Sequence, residues 1–151
     1  GNTAPERPAG KSAVIELEKG GAITLQLFPD VAPKTVRNFE EKASTGFYNG
    51  LTFHRVEDWV VQGGDPRGNG TGGNMSLPTE VSDKPFGVGA LGVARRADSK
   101  AISNDAQFFI CTKPATWLNG EYTNFGQVTA GMDTVQSIKI GDKIKRITVQ
   151  G

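Results

Sequence analysis

The sequence predicts a mainly β fold: an antiparallel sheet closed into a barrel or folded into a sandwich, with two helices, one near each end of the chain. Three observations carry this expectation. Short apolar segments recur between turn residues, the spacing of a helical face occurs only twice, and 20 glycines follow no repeat period. That glycine usage implies many tight turns and close backbone approaches rather than a fibrous repeat. At 151 residues the chain is expected to hold one domain, large enough to fold without a disulfide or a metal.

Residues 1–12, with Pro5 and Pro8 among small and polar neighbours, read as a flexible arm, leaving 13–151 as the single domain. Val14, Ile15 and Leu17 precede the alternation Ile23, Thr24, Leu25, Gln26, Leu27 across Lys19-Gly20-Gly21, which predicts a hairpin with one wet face. The period then changes. Val36, Phe39 and Ala43 share a helical face, Pro33 suits the first turn, Asp30 lies just upstream and Gly46 supplies a stop. Apolar segments at 51–56, 59–62, 88–94, 107–112 and 125–128 read as strands. Met132, Val135 and Ile138 mark a second helical face between Gly131 and Gly141, and Ile147 and Val149 alternate in a closing strand.

Composition excludes several functions. Lysine plus arginine number 17 against 16 aspartate plus glutamate, so no strong field exists to attract a polyanion, and neither nucleic acid nor an anionic membrane is an expected partner. No apolar run approaches the ~20 residues of a spanning helix, so a soluble protein is expected. One cysteine and one histidine cannot build a Cys/His zinc site or an intramolecular disulfide, and no metal is expected. The chain opens on glycine and shows no signal peptide. A cytoplasmic location and export after loss of an upstream signal therefore both stand.

Familiar motifs fail on their context. The glycine-rich stretch 63–73 is followed by Pro78 instead of the helix a dinucleotide site needs. Gly10-Lys11-Ser12 resembles the end of a phosphate loop, but Pro5 stands where its first glycine belongs. His54 is the only histidine, so any Ser-His-Asp or Cys-His mechanism must run through it. Strand alternation puts His54 on one face and Arg55 on the other, and a hydrogen-bonded histidine on the inner face is the simpler expectation. Cys111, inside Phe108-Phe109-Ile110-Cys111, reads as a small buried hydrophobe. None of this names a reaction.

Six strings occur in order: Phe53-His54-Arg55-Val56, Gln62-Gly63-Gly64-Asp65, Asn69-Gly70-Thr71-Gly72-Gly73, Gln107-Phe108-Phe109-Ile110-Cys111-Thr112, Trp117-Leu118-Asn119-Gly120 and Phe125-Gly126-Gln127-Val128. Together they resemble the cyclophilin family of peptidyl-prolyl cis-trans isomerases over nearly everything from Val14 to Gln150. The resemblance implies a closed eight-stranded antiparallel barrel capped by two helices, and a groove on its outside. Arg55 matches the family's catalytic arginine and Gln62 its polar neighbour. Trp59 and Val60 stand where phenylalanine and methionine are usual. Phe109, Trp117 and Leu118 complete the proline pocket, Ala94 and Arg95 fall where an extended substrate backbone is paired, Gln107 forms a second polar wall, and Gly70 lies on the loop beside it.

Four departures stand out. The segment between Arg55 and Gln62 is a residue short, with Glu57-Asp58 where Pro-Gly is frequent. Tyr122 occupies the place of a pocket histidine. The loop after Ala94 is long, with Arg95-Arg96 where an asparagine often begins it, and Ala106 replaces a common serine. Arg95 and Arg96 read most simply as solvent-facing charges. The implied partners are proline-containing peptides and unfolded proteins, with cyclosporin-type inhibitors suggested by Trp117. The implied enzyme is a monomer needing no cofactor; a binding module that holds proline peptides with incidental turnover is the alternative.

The implied chemistry suits these residue types. Rotating an Xaa-Pro bond breaks amide resonance against a barrier of ~18 to 20 kcal/mol. In the twisted state the imide nitrogen regains its lone pair, so a donor aimed there favours the transition state over either planar isomer. Arg55 is such a donor, permanently charged and rigid. The twisted imide is also less polar than the planar one, so an apolar pocket of Phe109, Val60, Leu118 and Trp59 penalises the ground state.

Overall fold

The structure, a computed structural model, describes residues 11–151. Its elements run β1 (Ser12–Leu17), β2 (Ala22–Leu27), α1 (Pro33–Ser44), β3 (Phe53–Glu57), β4 (Val60–Gly63), β5 (Met75–Pro78), β6 (Ala90–Val93), β7 (Ile102–Asn104), β8 (Phe108–Cys111), β9 (Asn124–Ala130), α2 (Met132–Gln136) and β10 (Ile144–Gln150). Of the arm expected over 1–12, residues 1–10 lie outside the described residues, and Ser12 already opens β1.

The hairpin forms as its alternation requires. Ile15 pairs with Ile23 and Ala13 with Leu25, all on the buried face. Gly20 and Gly21 turn the chain at φ of 104° and 96°, a region costly for any residue with a Cβ. Helix α1 buries Thr35, Val36, Phe39 and Ala43. Its N-cap, Ala32, offers no side-chain acceptor. Instead the Glu80 carboxylate accepts from Thr35 N at 2.8 Å, Thr35 Oγ1 at 2.7 Å and Lys34 N at 3.1 Å, capping the helix from a distant segment. Helix α2 is shorter than the spacing of Met132, Val135 and Ile138 suggests. Ser137 Oγ donates to Thr134 O and the chain turns there, leaving Ile138 buried beyond the helix.

Eight strands form one antiparallel half-barrel in the order β10-β1-β2-β9-β6-β8-β4-β3, and β5 pairs with β7 apart from it. The sheet is open, which corrects the expected closed barrel. Its edge strands are offset end to end. Ile144 N donates to Leu51 O and Phe53 N to Asp142 O, so each edge strand meets the loop leading into the other. A single bridge, Thr52 with Lys143, joins them. The small β5–β7 ladder was not expected: it is short, it contains Pro78, and its strands lie in glycine- and asparagine-rich loops.

Alternation along the central strands separates two apolar faces. Leu91, Val93, Phe108 and Ile110 join the main core with Phe39, Phe53 and Phe125. Phe108 stands edge-on to Phe39, Tyr48 and Phe53 at centroid distances of 5.7, 5.6 and 6.1 Å, arrangements that add to area burial. The alternate residues Ala90, Phe109 and Cys111 point the other way and gather Val60, Phe86, Ala115 and Leu118 into a second, smaller cluster on the outer face. Cys111 is buried as expected, and burial pushes its thiol up to about 12.

Candidate active site

The outer cluster floors a cleft of about 670 Å³ lined by Arg55, Trp59, Gln62, Ala94, Arg95, Phe109, Trp117, Leu118, Glu121 and Tyr122. Strand register explains why these residues meet. Gly92 pairs with Phe109, Phe109 with Gln62, and Gln62 with Arg55, and directly opposed residues share a face. One row across four strands therefore carries a gap, an aromatic ring, an amide and a guanidinium. The gap is necessary: a Cβ at Gly92 would overlap the Phe109 ring, which stacks on Phe86 at 5.9 Å and meets the Tyr122 edge at 6.2 Å.

Strict alternation would turn Arg55 inward beside Phe53, which is fully buried in the core. A β-bulge prevents this. The register shifts between Phe53 and Arg55, so His54 and Arg55 both leave the core face and Val56 returns to it. Bulges re-aim side chains in this way. His54 is thus not on the inner face, which corrects that expectation, and its buried Nδ1 has no hydrogen-bond partner among the described residues. Burial, with the Arg55 charge, holds its pKa below the ordinary value against the opposing pull of Asp65.

Arg55 sits at the cleft rim with its side chain 40% exposed. Its Nε donates to Glu57 Oε2 at 3.0 Å and its Nη1 to Gln62 Oε1 at 2.9 Å. Its Cζ lies 5.6 Å from the Trp59 ring centre, and its Nη2 has no bond among the described residues. The hydrogen bond and charge of Arg55 hold the Glu57 carboxyl below the usual range. Behind Arg55 runs a relay of buried amides. Gln62 Nε2 donates to Gln107 Oε1 at 3.0 Å, and Gln107 Nε2 donates to Gly70 O at 3.1 Å and Gly72 O at 2.9 Å.

That relay ties the loop after β4 to the sheet. Burial raises the Asp65 carboxyl, but the N–H groups of Arg67, Gly72, Gly70 and Asn69 outweigh it and hold the group below the usual carboxylate range. Asn104 Oδ1 accepts from the N–H groups of Ala106 and Gln107, and its Nδ2 donates to Gly72 O. These contacts orient Gln107, which orients Gln62, which orients Arg55.

Among the residues expected in the site, Phe109, Leu118, Trp117, Trp59, Tyr122, Ala94 and Arg95 join Arg55 and Gln62 around the opening. Trp117 is 59% exposed and packs edge-on to Trp59 at 4.9 Å, forming the outer lip. Val60 is fully buried beneath the floor, and Gln107 is buried behind Gln62. Gly70 does not line the cleft; its carbonyl accepts from Gln107 behind it. Arg95 is not a solvent-facing charge: its side chain is 4% exposed, whereas that of Arg96 is 69% exposed. The sequence reading missed Glu121 as a cleft residue and Glu57 as the partner of the Arg55 guanidinium. Alternation along β3 does put Arg55 and Glu57 on one face, two residues apart, whereas nothing local pairs Glu121 with an arginine; Phe53 and Val56 flanking two polar residues is the mark of the bulge.

No group of histidine, cysteine, aspartate or glutamate suited to a metal ion occurs among the described residues, and no described helix is long and apolar enough to cross a membrane. A family model described as cyclophilin type peptidyl-prolyl cis-trans isomerase/CLD matches residues 13–150. Peptidyl-prolyl cis-trans isomerase B of Bacillus subtilis is 41% identical over 145 residues, 93% of this chain and 99% of that protein. A peptidyl-prolyl cis-trans isomerase of Synechococcus elongatus is 41% identical over 141 residues, 91% and 94% of the two chains. A crystal structure of a Cryptosporidium parvum cyclophilin-type isomerase superposes with a TM-score of 0.85 at 28% identity, covering 94% of this chain and 98% of that one. A second, obtained in the presence of the dipeptide Ala-Pro, gives 0.82 at 27% identity over 93% and 99%.

Proposed function

The chain belongs to the cyclophilin-type peptidyl-prolyl cis-trans isomerase family and is such an isomerase; from that premise we propose that Arg55 is its catalytic residue and that the cleft over Phe109 receives the proline ring. The observation that carries this is the row Gly92, Phe109, Gln62, Arg55. It sets an apolar floor beside a guanidinium whose Nη2 is free among the described residues. Two of its nitrogens are already bound, to Glu57 and Gln62, so the fork is held before substrate arrives and little ordering is needed at the moment of reaction.

A proline entering over Phe109 is walled by Leu118, Trp59 and Tyr122, with Val60 packed below. Water is excluded from one side of the imide, which favours the less polar twisted form. Ala94 is spent internally, its N–H donating to Gln107 O and its C=O accepting from Asn104 N. Neither the N–H nor the C=O of Arg95 has a partner among the described residues, and these groups are suited to pair an extended peptide backbone. Arg55 Nη2 then donates to the imide nitrogen as it pyramidalises. No proton is transferred and no covalent intermediate forms. The Trp117 lip also suits a cyclosporin-type inhibitor, and the +1 net charge suits an enzyme acting on proline peptides of varied charge.

Two-dimensional exchange NMR on a proline peptide tests this. Arg55→Ala is expected to lower turnover by about two decades, the worth of one preorganised donor, with peptide affinity within a few fold. Equal losses in turnover and affinity would refute the role. Binding with no accelerated exchange in the wild-type chain would instead support the binding module.

A further inference from the structure

Two of the positions at which the sequence departs from the family's pattern, Arg95 and Tyr122, are in direct contact. The Arg95 guanidinium carbon lies 4.1 Å from the centre of the Tyr122 ring. Its Nε donates to Glu121 O at 3.0 Å and its Nη1 to Arg96 O at 2.8 Å. Its Nη2 lies 3.8 Å from the Glu121 carboxylate, which Lys100 also approaches at 3.1 Å. A buried cation is costly unless paired, and this one, its side chain 4% exposed, is held by two carbonyls, a π face and a carboxylate at ion-pair distance. It is not a vacant receptor for a substrate anion. The Tyr122 ring, by contrast, has few holds of its own. Its backbone N–H bonds Leu118 O and its ring meets Phe109 across 6.2 Å.

We propose that Arg95 is a positioning residue that acts through Tyr122: it clamps the ring as a wall of the proline pocket, and so sets affinity for proline without reading the charge of neighbouring substrate residues. Planarity matters as much as charge here. Only a flat, forked cation can lie on the ring and hold two backbone carbonyls at once. A lysine can do one or the other. The proposal rests on the cleft being the peptide site, and its measurements are of affinity, separate from those that judge Arg55.

The test is an NMR titration with two peptides, Ala-Ala-Pro-Ala and Ala-Glu-Pro-Ala, alongside exchange rates at saturation. Arg95→Ala is expected to raise the dissociation constant about tenfold, the scale of a desolvated cation–π contact, for both peptides alike. Turnover of bound peptide should change by less than about threefold, because the reacting imide faces Arg55. Tyr122→Leu should reproduce the loss, and Tyr122→Phe should stay within about twofold of wild type. The double variant Arg95→Ala/Tyr122→Leu should be no weaker than its weaker parent, since both changes remove one contact. Arg95→Lys should remain impaired. Arg95→Met, which keeps the apolar stem, should behave as Arg95→Ala and serves if the alanine variant does not fold.

A loss confined to the acidic peptide would show that Arg95 reads charge and would overturn the proposal. So would full affinity in Arg95→Lys, additive losses in the double variant, or unchanged affinity in Arg95→Ala. If Arg55→Ala retained turnover while Arg95→Ala lost affinity, the Arg55 assignment would fail and the clamp would stand. A wild-type chain that bound neither peptide would overturn both.

Discussion

Gln62 offers the sharpest way to ask whether the amide relay organises the site. Gln62→Ala removes the acceptor of Arg55 Nη1 and the donor to Gln107 Oε1. The first bond is charge-assisted but involves a guanidinium that water already reaches, so its loss belongs at the low end of ~1.5 to 3 kcal/mol. The second leaves a buried carbonyl oxygen unpaired, at about 1 to 3 kcal/mol. Together they place the loss at about 2.5 to 4.5 kcal/mol, or a fall in Tm of roughly 5 to 18 °C for a chain of this size. Turnover should also fall about ten- to hundredfold, because Arg55 is released on one side.

Gln62→Glu separates the two effects. Its carboxylate still accepts from Arg55, but it cannot donate to Gln107. If Gln107 turns its amide to compensate, its oxygen faces the carbonyls of Gly70 and Gly72. Either orientation leaves opposed acceptors, so stability should fall about as far as in Gln62→Ala, whereas turnover should stay within about tenfold of wild type. Thermal unfolding and exchange NMR on both variants read this directly. Wild-type stability in Gln62→Glu would refute the donor-to-acceptor direction of the relay. Turnover lost equally in both variants would refute the claim that holding Arg55 is what Gln62 does.

Other outcomes follow from single features. Glu80→Ala removes the cap of α1 and should lower stability by about 1 to 2 kcal/mol, seen in denaturant unfolding, with turnover at 25 °C little changed; a loss of turnover without a loss of stability would contradict a capping role. Cys111, buried with its pKa pushed up to about 12, should resist an aromatic disulfide reagent at pH 8 in the native protein and react once guanidinium unfolds it. The rate should be nearly flat between pH 6 and 8, since no proton moves, and a bell-shaped profile tracking His54 would argue for acid-base chemistry. Stability should behave differently. His54 titrates below its ordinary value of 6.5 in the fold, so the unfolded chain binds more protons in that window. Stability should therefore rise with pH up to the unfolded value and level off above it, as urea titrations across pH 5 to 8 would show.

Much of this protein was legible along the chain because its signals are local. The alternation in Ile23 to Leu27 and the helical face Val36, Phe39, Ala43 declare which side is buried, since burial of apolar area sets the period, and the alternation of Gln107, Phe108 and Phe109 separates the core ring from the cleft ring. The ordered strings around Arg55, Gln62, Phe109 and Trp117 identified the family. What the chain could not show were contacts set by the meeting of distant segments. Arg55 faces the cleft because a bulge breaks the alternation that would have buried it. α1 is capped by Glu80, whose carboxylate comes from beyond β5. Arg95 reads as a surface charge until Tyr122 and the Glu121 carbonyl close over it. The edge strands stay unpaired because their ends meet out of step. Periodicity reports which face a side chain takes on its own element; the partner waiting there is decided only when register and loop paths bring separate segments together.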